Sequence, residues 1–216
     1  MTPVAIFCRH GNTFNKGEKV FWVGRGEDMP LTEEGCRQAE AAADAIAAAA
    51  IPVAQVISGP LQRTRIFAAS IAAKAKLNQA ARIDNRLDEL DYGEWSGLSD
   101  SEIEERFGPE ELSAWRDRGE RPAKAQFRPS EQAVRQELES LLEELEQLGG
   151  LTVAVTSNGR LREIGRMLKD LAGKPLKAPG VSTGAACVLV FRDSRWHIVA
   201  WNIKPPELAA ALARVS

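Results

Sequence analysis

The sequence predicts an α/β protein with three layers, α/β/α, a mostly parallel central sheet and an inserted helical cap at about residues 93 to 129. Three observations predict it. Short apolar runs alternate with longer segments of helical period along the whole chain. The first of those runs is continuous in apolar residues, as a strand buried on both faces is. A chain of 216 residues, 44% hydrophobic and 27% charged, suits one sizeable core, so residues 1 to 216 read as a single domain.

The elements follow in order. VAIFC, residues 4 to 8, reads as a buried strand stopped by Arg9-His10-Gly11. Thr32 can cap a helix with Glu33 and Glu34 in its first turn, where acids suit the helix dipole, and the alanine-rich run carries it to Ala50. VAQVIS, residues 53 to 58, is a second strand, and Pro60 is placed to begin a helix running to about residue 76. ARID is a short third strand. Residues 93 to 129 are rich in Gly, Pro and charge, with short helices such as SEIEERF, and read as an excursion from the sheet. From Ser130, the positions Val134, Leu138, Leu141, Leu142, Leu145 and Leu148 fall at helical spacing, closed by Gly149-Gly150. LTVAVTS then reads as a strand and RLREIGRMLKDLAG as a helix. ACVLVFR and WHIVAWN are two strands joined at Asp193-Ser194, and ELAAALARV is a final helix.

The formal charge of −2 and pI near 5.9 provide no global basic field, so neither nucleic acid nor a membrane surface is expected as a partner. MTPVAIFCRHG has no basic leader followed by a long apolar stretch, and a cytoplasmic protein is expected. Cys8, Cys36 and Cys187 are odd in number and widely spaced, which fits reduced thiols. His10 and His197 are the only histidines and no metal-ligand spacing is present, so no metal and no cofactor are expected.

Candidate chemistry gathers where strands end, because in open α/β sheets ligands bind at the carboxyl ends of strands and the following helix N-termini. The first strand delivers Arg9-His10-Gly11-Asn12-Thr13, an imidazole beside a guanidinium at a glycine turn. The second delivers Ser58 to Arg63, with Arg63 in the first turn of a helix. Two arginines with free helix amides suit a phosphate, since the planar guanidinium bonds two phosphoryl oxygens at once. After the third strand, Asp88, Glu89 and Asp91 lie in an apolar and aromatic stretch, where one of them can serve as an acid. The fourth strand runs into Ser157-Asn158-Gly159, which reads either as turn chemistry or as a ligand-facing amide.

With those residues in view, the chain closely resembles the histidine phosphatase superfamily, the phosphoglycerate mutase-like fold, over nearly its whole length. The resemblance rests on four blocks in order: Arg9-His10-Gly11-Asn12-Thr13; Pro30-Leu31-Thr32-Glu33-Glu34-Gly35 with Gln38-Ala39; Ser58 with Leu61-Gln62-Arg63-Thr64; and Leu87-Asp88-Glu89 with Gly93, Trp95 and Gly97. It implies that His10 is a nucleophile forming a phosphohistidine, that Arg9 and Arg63 hold phosphoryl oxygens, and that Glu89 protonates the leaving oxygen. Asn12, Asn15, Asn158 and Gly159 are the implied phosphate-binding positions, Asn15 with a one-residue gap in the alignment. Each role is physically sensible: an imidazole nitrogen divides phosphoryl transfer into two steps, and fixed cations stabilise the transferring group without a metal.

One departure stands out. The family's fourth strand normally ends in His-Gly, and here the matching residue is Asn158, an amide donor without charge. A charge-assisted hydrogen bond is worth about 1.5 to 3 kcal/mol against about 1 for a neutral one, so the change is expected to slow transfer about tenfold or more without abolishing it. Arg162 still matches an arginine that the family often has nearby, and His197 reads as an ordinary strand residue. The expected function is a metal-independent phosphomonoester hydrolase acting on a small phosphorylated metabolite. A catalytically weakened phospholigand-binding or regulatory protein is the alternative, and a mutase a further one; the oligomeric state is open, a homodimer included. Specificity is expected from residues 14 to 29 and the cap, where Arg116, Arg118, Arg121, Lys124 and Arg128 could hold a second anionic group.

Overall fold

A computed structural model of the protein describes residues 2 to 49 and 51 to 215. The chain folds in the order β1 (Val4–Arg9), α1 (Glu33–Ala48), β2 (Val53–Ser58), α2 (Gln62–Lys74), β3 (Arg82–Ile83), α3 (Asp100–Phe107), α4 (Pro109–Ser113), α5 (Glu131–Leu148), β4 (Leu151–Thr156), α6 (Asn158–Met167), β5 (Lys169–Asp170), β6 (Ala186–Arg192), β7 (Arg195–Ile203) and α7 (Leu208–Leu212). The seven strands form one mixed sheet in the order β3-β2-β4-β1-β6-β7-β5. Four neighbouring pairs run parallel. The other two, β1 with β6 and β6 with β7, run antiparallel.

Side-chain alternation along the central strands divides the core. Val4, Ile6 and Cys8 of β1 join Val153 and Val155 of β4 under Ala39, Ala43, Phe67 and Ile71 of α1 and α2, with Leu208 and Leu212 of α7. Ala5 and Phe7 point the other way, with Ala154, toward Leu138 and Leu141 of α5, Leu161 of α6 and the aromatic residues of the cap. A side-chain period of two in the strands and an apolar stripe on each helix thus produce the three layers. Caps fix the helix starts: the Thr32 hydroxyl accepts from the Gly35 amide, and the Ser130 hydroxyl accepts from the Ala133 amide.

Several boundaries differ from the sequence reading. The expected helix end at Ala50 lies outside the described residues, and α1 is described to Ala48. Pro60 precedes α2, which starts at Gln62 with Leu61 at the cap. The segment from Arg160 to Gly173 is not helical throughout. Its helix begins earlier, at Asn158, and stops at Met167; Lys169 and Asp170 then extend to pair with β7. The edge of the sheet offers those two residues inter-strand hydrogen bonds, a tertiary gain that helix propensity does not contain. Asp193 and Ser194, both at positive φ (51° and 59°), make the two-residue turn between β6 and β7.

Register decides where the chemistry sits. Arg9 lies opposite Thr156, Ser58 opposite Val155, and Ser58 also opposite Ile83. The carboxyl ends of β1, β2, β3 and β4 therefore stop at one edge, and the residues that follow each of them converge there. The cap packs against this edge through a cluster of edge-to-face rings, Trp22, Tyr92, Trp95, Trp115 and Phe127, with centroids 5.0 to 6.4 Å apart.

Candidate active site

A cleft of about 1450 Å³ opens over the converged strand ends, with Arg9, His10, Asn12, Arg63, Glu89 and Asn158 on its walls. His10 is nearly buried and its Nδ1 lies 2.8 Å from the Gly11 carbonyl. A carbonyl only accepts, so Nδ1 carries the proton and Nε2 holds the free lone pair. Burial first, then the charges of Arg9 and Arg63, holds the imidazole pKa well below its ordinary value of 6.5. The ring is neutral at neutral pH, the state a nucleophile needs. Gly11 passes so close to the start of α1 that a Cβ there would strike the Gly35 backbone, at 2.6 Å from its Cα. This contact docks the residues after β1 onto the helix and turns His10 into the cleft.

The arginines are held by backbone. Arg63 Nη1 donates to the Glu27 carbonyl at 2.9 Å and Nη2 to the Gly24 carbonyl at 2.8 Å, so the loop after β1 fixes a cation delivered by α2. Arg9 Nη1 donates to the Val181 carbonyl at 2.6 Å. Neither guanidinium is neutralised by a carboxylate within salt-bridge distance among the described residues, which leaves both charges available to an anion.

Of the three candidate carboxylates Asp88, Glu89 and Asp91, only Glu89 lines the cleft. Asp88 accepts from the Glu89 amide at 2.9 Å and pairs with Arg25 at 3.1 Å, away from the cleft. Burial raises its pKa, and Arg25 opposes that rise. Asp91 accepts from the Gly93 amide at 2.9 Å. Glu89 itself accepts from the Leu90 amide at 2.8 Å and from the Gly159 amide at 3.3 Å. Gly159 leaves no room for a side chain: a Cβ would collide with Glu89 Oε1 and stand 2.8 Å from the Tyr92 hydroxyl. Tyr92, beside Glu89, has its phenol pKa held well above 10, by burial first and then by the carboxylate charge.

Asn158 opens α6, and its Oδ1 accepts from the Val181 amide at 2.9 Å. Its Nδ2 is left for the cleft. Asn12 also lines the cleft, its backbone amide donating to Gln38 Oε1 at 2.9 Å and its Oδ1 accepting from the Thr183 hydroxyl.

The chain's match to the family described as histidine phosphatase superfamily (branch 1) extends over residues 5 to 204, and so includes every one of these positions. The chain belongs to the histidine phosphatase superfamily. It is 26% identical over 201 residues to a 2,3-bisphosphoglycerate-dependent phosphoglycerate mutase of Parvibaculum lavamentivorans, covering 89% of this chain and 92% of that one. It is 32% identical over 128 residues to phosphoserine phosphatase 1 of Hydrogenobacter thermophilus, 57% of either chain. Among solved structures it superposes on a mycobacterial glucosyl-3-phosphoglycerate phosphatase complexed with VO3 with a TM-score of 0.74, at 24% identity, over 94% of this chain and all of that one.

In this member of the superfamily, the structure brings Arg9, His10, Asn12, Arg63, Glu89 and Asn158 to one cleft and separates other candidates from its floor. Asn15 stands at the exposed mouth, where both its backbone amide and its Nδ2 are taken by Glu18, at 2.7 and 3.0 Å. Gly159 contributes its amide to Glu89. Of Arg116, Arg118, Arg121, Lys124 and Arg128, only Arg116 reaches the cleft, paired with Asp100 at 2.5 Å. Arg118 pairs with Glu120 at 2.9 Å, and Arg121 with buried Glu163 at 2.6 Å. His197 Nε2 faces the Arg192 carbonyl at 3.2 Å on β7. Cys8 and Cys187 are buried free thiols and Cys36 an exposed one. No group of three or more His, Cys, Asp or Glu side chains among the described residues is arranged to hold a metal, and no described helix is long and apolar enough to cross a membrane.

Sequence reasoning passed over Tyr92, Arg25 and the wall at residues 179 to 184. Tyr92 was visible, three residues after Glu89 and beside Gly93. The wall carries no motif. Arg162, whose Nη1 donates to the Trp115 carbonyl at 2.9 Å and also to that of Arg116, lies 5.6 Å over the Trp115 ring and ties α6 to the cap.

Proposed function

We propose that this protein is a metal-independent phosphomonoester hydrolase for small phosphorylated metabolites, acting through a phosphohistidine on His10. The observation that carries the reading is the fixed tautomer of His10, with Nδ1 spent on Gly11 and Nε2 left free in a cleft that Arg9 and Arg63 also line. Nε2 attacks phosphorus as the bond to the leaving oxygen breaks. Glu89 delivers its proton to that oxygen, and the alcohol departs. Water then attacks the phosphohistidine, Glu89 takes a proton from it, the nitrogen–phosphorus bond breaks, and phosphate leaves neutral His10 behind. Arg9 and Arg63 stabilise the equatorial oxygens in both steps, and Asn158 adds one neutral donor.

A second reading, transfer of the phosphoryl group to a second acceptor, is favoured by the similarity to a phosphoglycerate mutase over most of both chains. Incubation with a panel of phosphorylated metabolites, with chelator present, separates the readings. A hydrolase releases inorganic phosphate in step with free alcohol, whereas a mutase returns label to a second organic phosphate. A protein that binds phosphate with no turnover on any substrate would overturn both and leave a phospholigand-binding role. Acid-labile, base-stable label should appear on the wild type and be absent from His10→Ala; label surviving in that variant removes His10 as the nucleophile.

A further inference from the structure

We infer that Asn158 is a positioning residue for Arg9: its carboxamide oxygen fixes the Val181 peptide, whose carbonyl fixes the guanidinium, and the same arrangement demands an uncharged acceptor at position 158. The inference rests on the phosphoryl-transfer reading of the site.

The atoms form a short relay. The Val181 amide donates to Asn158 Oδ1 at 2.9 Å, and the Val181 carbonyl accepts from Arg9 Nη1 at 2.6 Å. That bond is the one hydrogen bond made by the Arg9 side chain among the described residues, and its buried Nε has no partner. The place of the guanidinium therefore depends on where Val181 sits. Val181 belongs to a wall held at neighbouring points: Trp201 Nε1 donates to the Pro179 carbonyl at 3.1 Å, the Ser182 amide donates to Asn202 Oδ1 at 2.7 Å, and the Gly184 amide donates to the Arg9 and His10 carbonyls, each at 3.2 Å. The tie at Val181 itself is Asn158. An amide N–H can only donate, so Oδ1 is turned to the wall and Nδ2 to the cleft.

The charges around position 158 come from each element packed there. β1 brings Arg9 and His10, α2 brings Arg63, the stretch after β3 brings Glu89 and Tyr92, and α6 brings Arg162. The wall itself, from Pro179 to Gly184, carries no titratable side chain. An imidazolium placed at 158 would set an N–H against the Val181 N–H and add a cation to three arginines. A neutral imidazole keeps the bond through one nitrogen and presents the other as a neutral donor. A histidine introduced here is thus held neutral, and the site that suits the asparagine has no use for the charge of a histidine.

The test is a cycle of Asn158→Ala and Arg9→Ala, singly and together, read as the dissociation constants of inorganic phosphate and orthovanadate, with a thermal melt of each variant. Asn158→Ala should weaken orthovanadate about thirtyfold in the wild-type background and only about fivefold, the share of its own Nδ2 donor, when Arg9 is already alanine. Equal losses in both backgrounds would overturn the relay. Asn158→Leu, similar in shape and without polar atoms, repeats the cycle should the alanine variant melt early. Asn158→His should keep near wild-type affinity and show no new ionisation between about pH 5 and 8 in kcat/KM. Activity rising as pH falls through that range would show a working imidazolium and overturn the inference. Binding is read without turnover, so coupling seen in a protein that hydrolyses nothing supports the relay while defeating the hydrolase reading.

Discussion

The floor of the cleft and its wall are built on different terms. The floor consists of residues of strong chemical character: Arg9 at the end of β1, His10 just after it, Arg63 in the first turn of α2 and Glu89 in the stretch that follows β3. The wall, residues 179 to 184, offers no charge, yet it accepts from Arg9, donates to Asn158 and meets Asn12 through Thr183. At Gly180 it passes so near Arg162 that a Cβ would stand 2.8 Å from Nη2. The difference teaches that the groups able to do chemistry and the groups that aim them come from separate parts of the chain. Reactivity resides in side-chain type, and aim resides in backbone carbonyls and amides.

The largest expected effect is on the floor. His10→Ala removes the proposed nucleophile and should lower kcat by about 10⁴-fold or more, measured as phosphate release; residual turnover above that level would move the nucleophile elsewhere.

Next is Glu89→Gln, which keeps the shape but cannot deliver a proton. Loss on alkyl phosphates should reach roughly 10² to 10⁴-fold and be far smaller on nitrophenyl phosphate, whose leaving group needs no proton. Equal losses on both would count against leaving-group protonation.

Gly159→Ala tests aim without removing any reactive group. Its Cβ would drive into Glu89 Oε1 and approach the Tyr92 hydroxyl, both deep in the structure. A fall in kcat of about 10²-fold with the affinity for inorganic phosphate little changed is expected, because the acid is displaced while the cations stay. A matching fall in phosphate affinity would mean that the floor moves as one piece.

The smallest effect is on pH dependence. The acid-side loss of kcat/KM due to His10 should lie below pH 6.5, because burial and the two arginines lower its pKa. For stability the sign is set by proton uptake: below pH 6.5 the unfolded chain protonates this histidine and the folded chain does not. The unfolded state then binds more protons, and stability falls as pH falls from 6.5 toward the folded pKa. Asp88 and Glu163, whose pKa values are raised mainly by burial, act in the opposite sense at lower pH. Urea melts of the wild type and His10→Gln should therefore diverge below pH 6.5, with the wild type losing more; parallel curves would place the imidazole in an ordinary environment.

The fold class, the strand ends and the candidate residues at them were legible in the sequence by itself, because each depends on short-range pattern. A continuous apolar run marks β1, a heptad-like stripe from Val134 to Leu145 marks α5, and Arg9-His10-Gly11 and Leu87-Asp88-Glu89 lie contiguous in the chain. Asn158 was legible as an amide at a strand end, but not as an acceptor. Its role turns on Val181, 23 residues away, and no local signal marks that partner. Apart from the family resemblance, which points to Glu89, the same holds for which carboxylate faces the cleft, since Asp88 and Glu89 differ by one residue and the structure separates them by their pairing with Arg25 and Gly159. It holds for the end of α6 as well, where a sheet edge outbids helix propensity at Lys169 and Asp170. Periodicity and side-chain chemistry are properties of neighbours in sequence. The aim of a guanidinium, the facing of an amide and the partner of a carboxylate are decided by groups that only folding brings within 3 Å or so of one another.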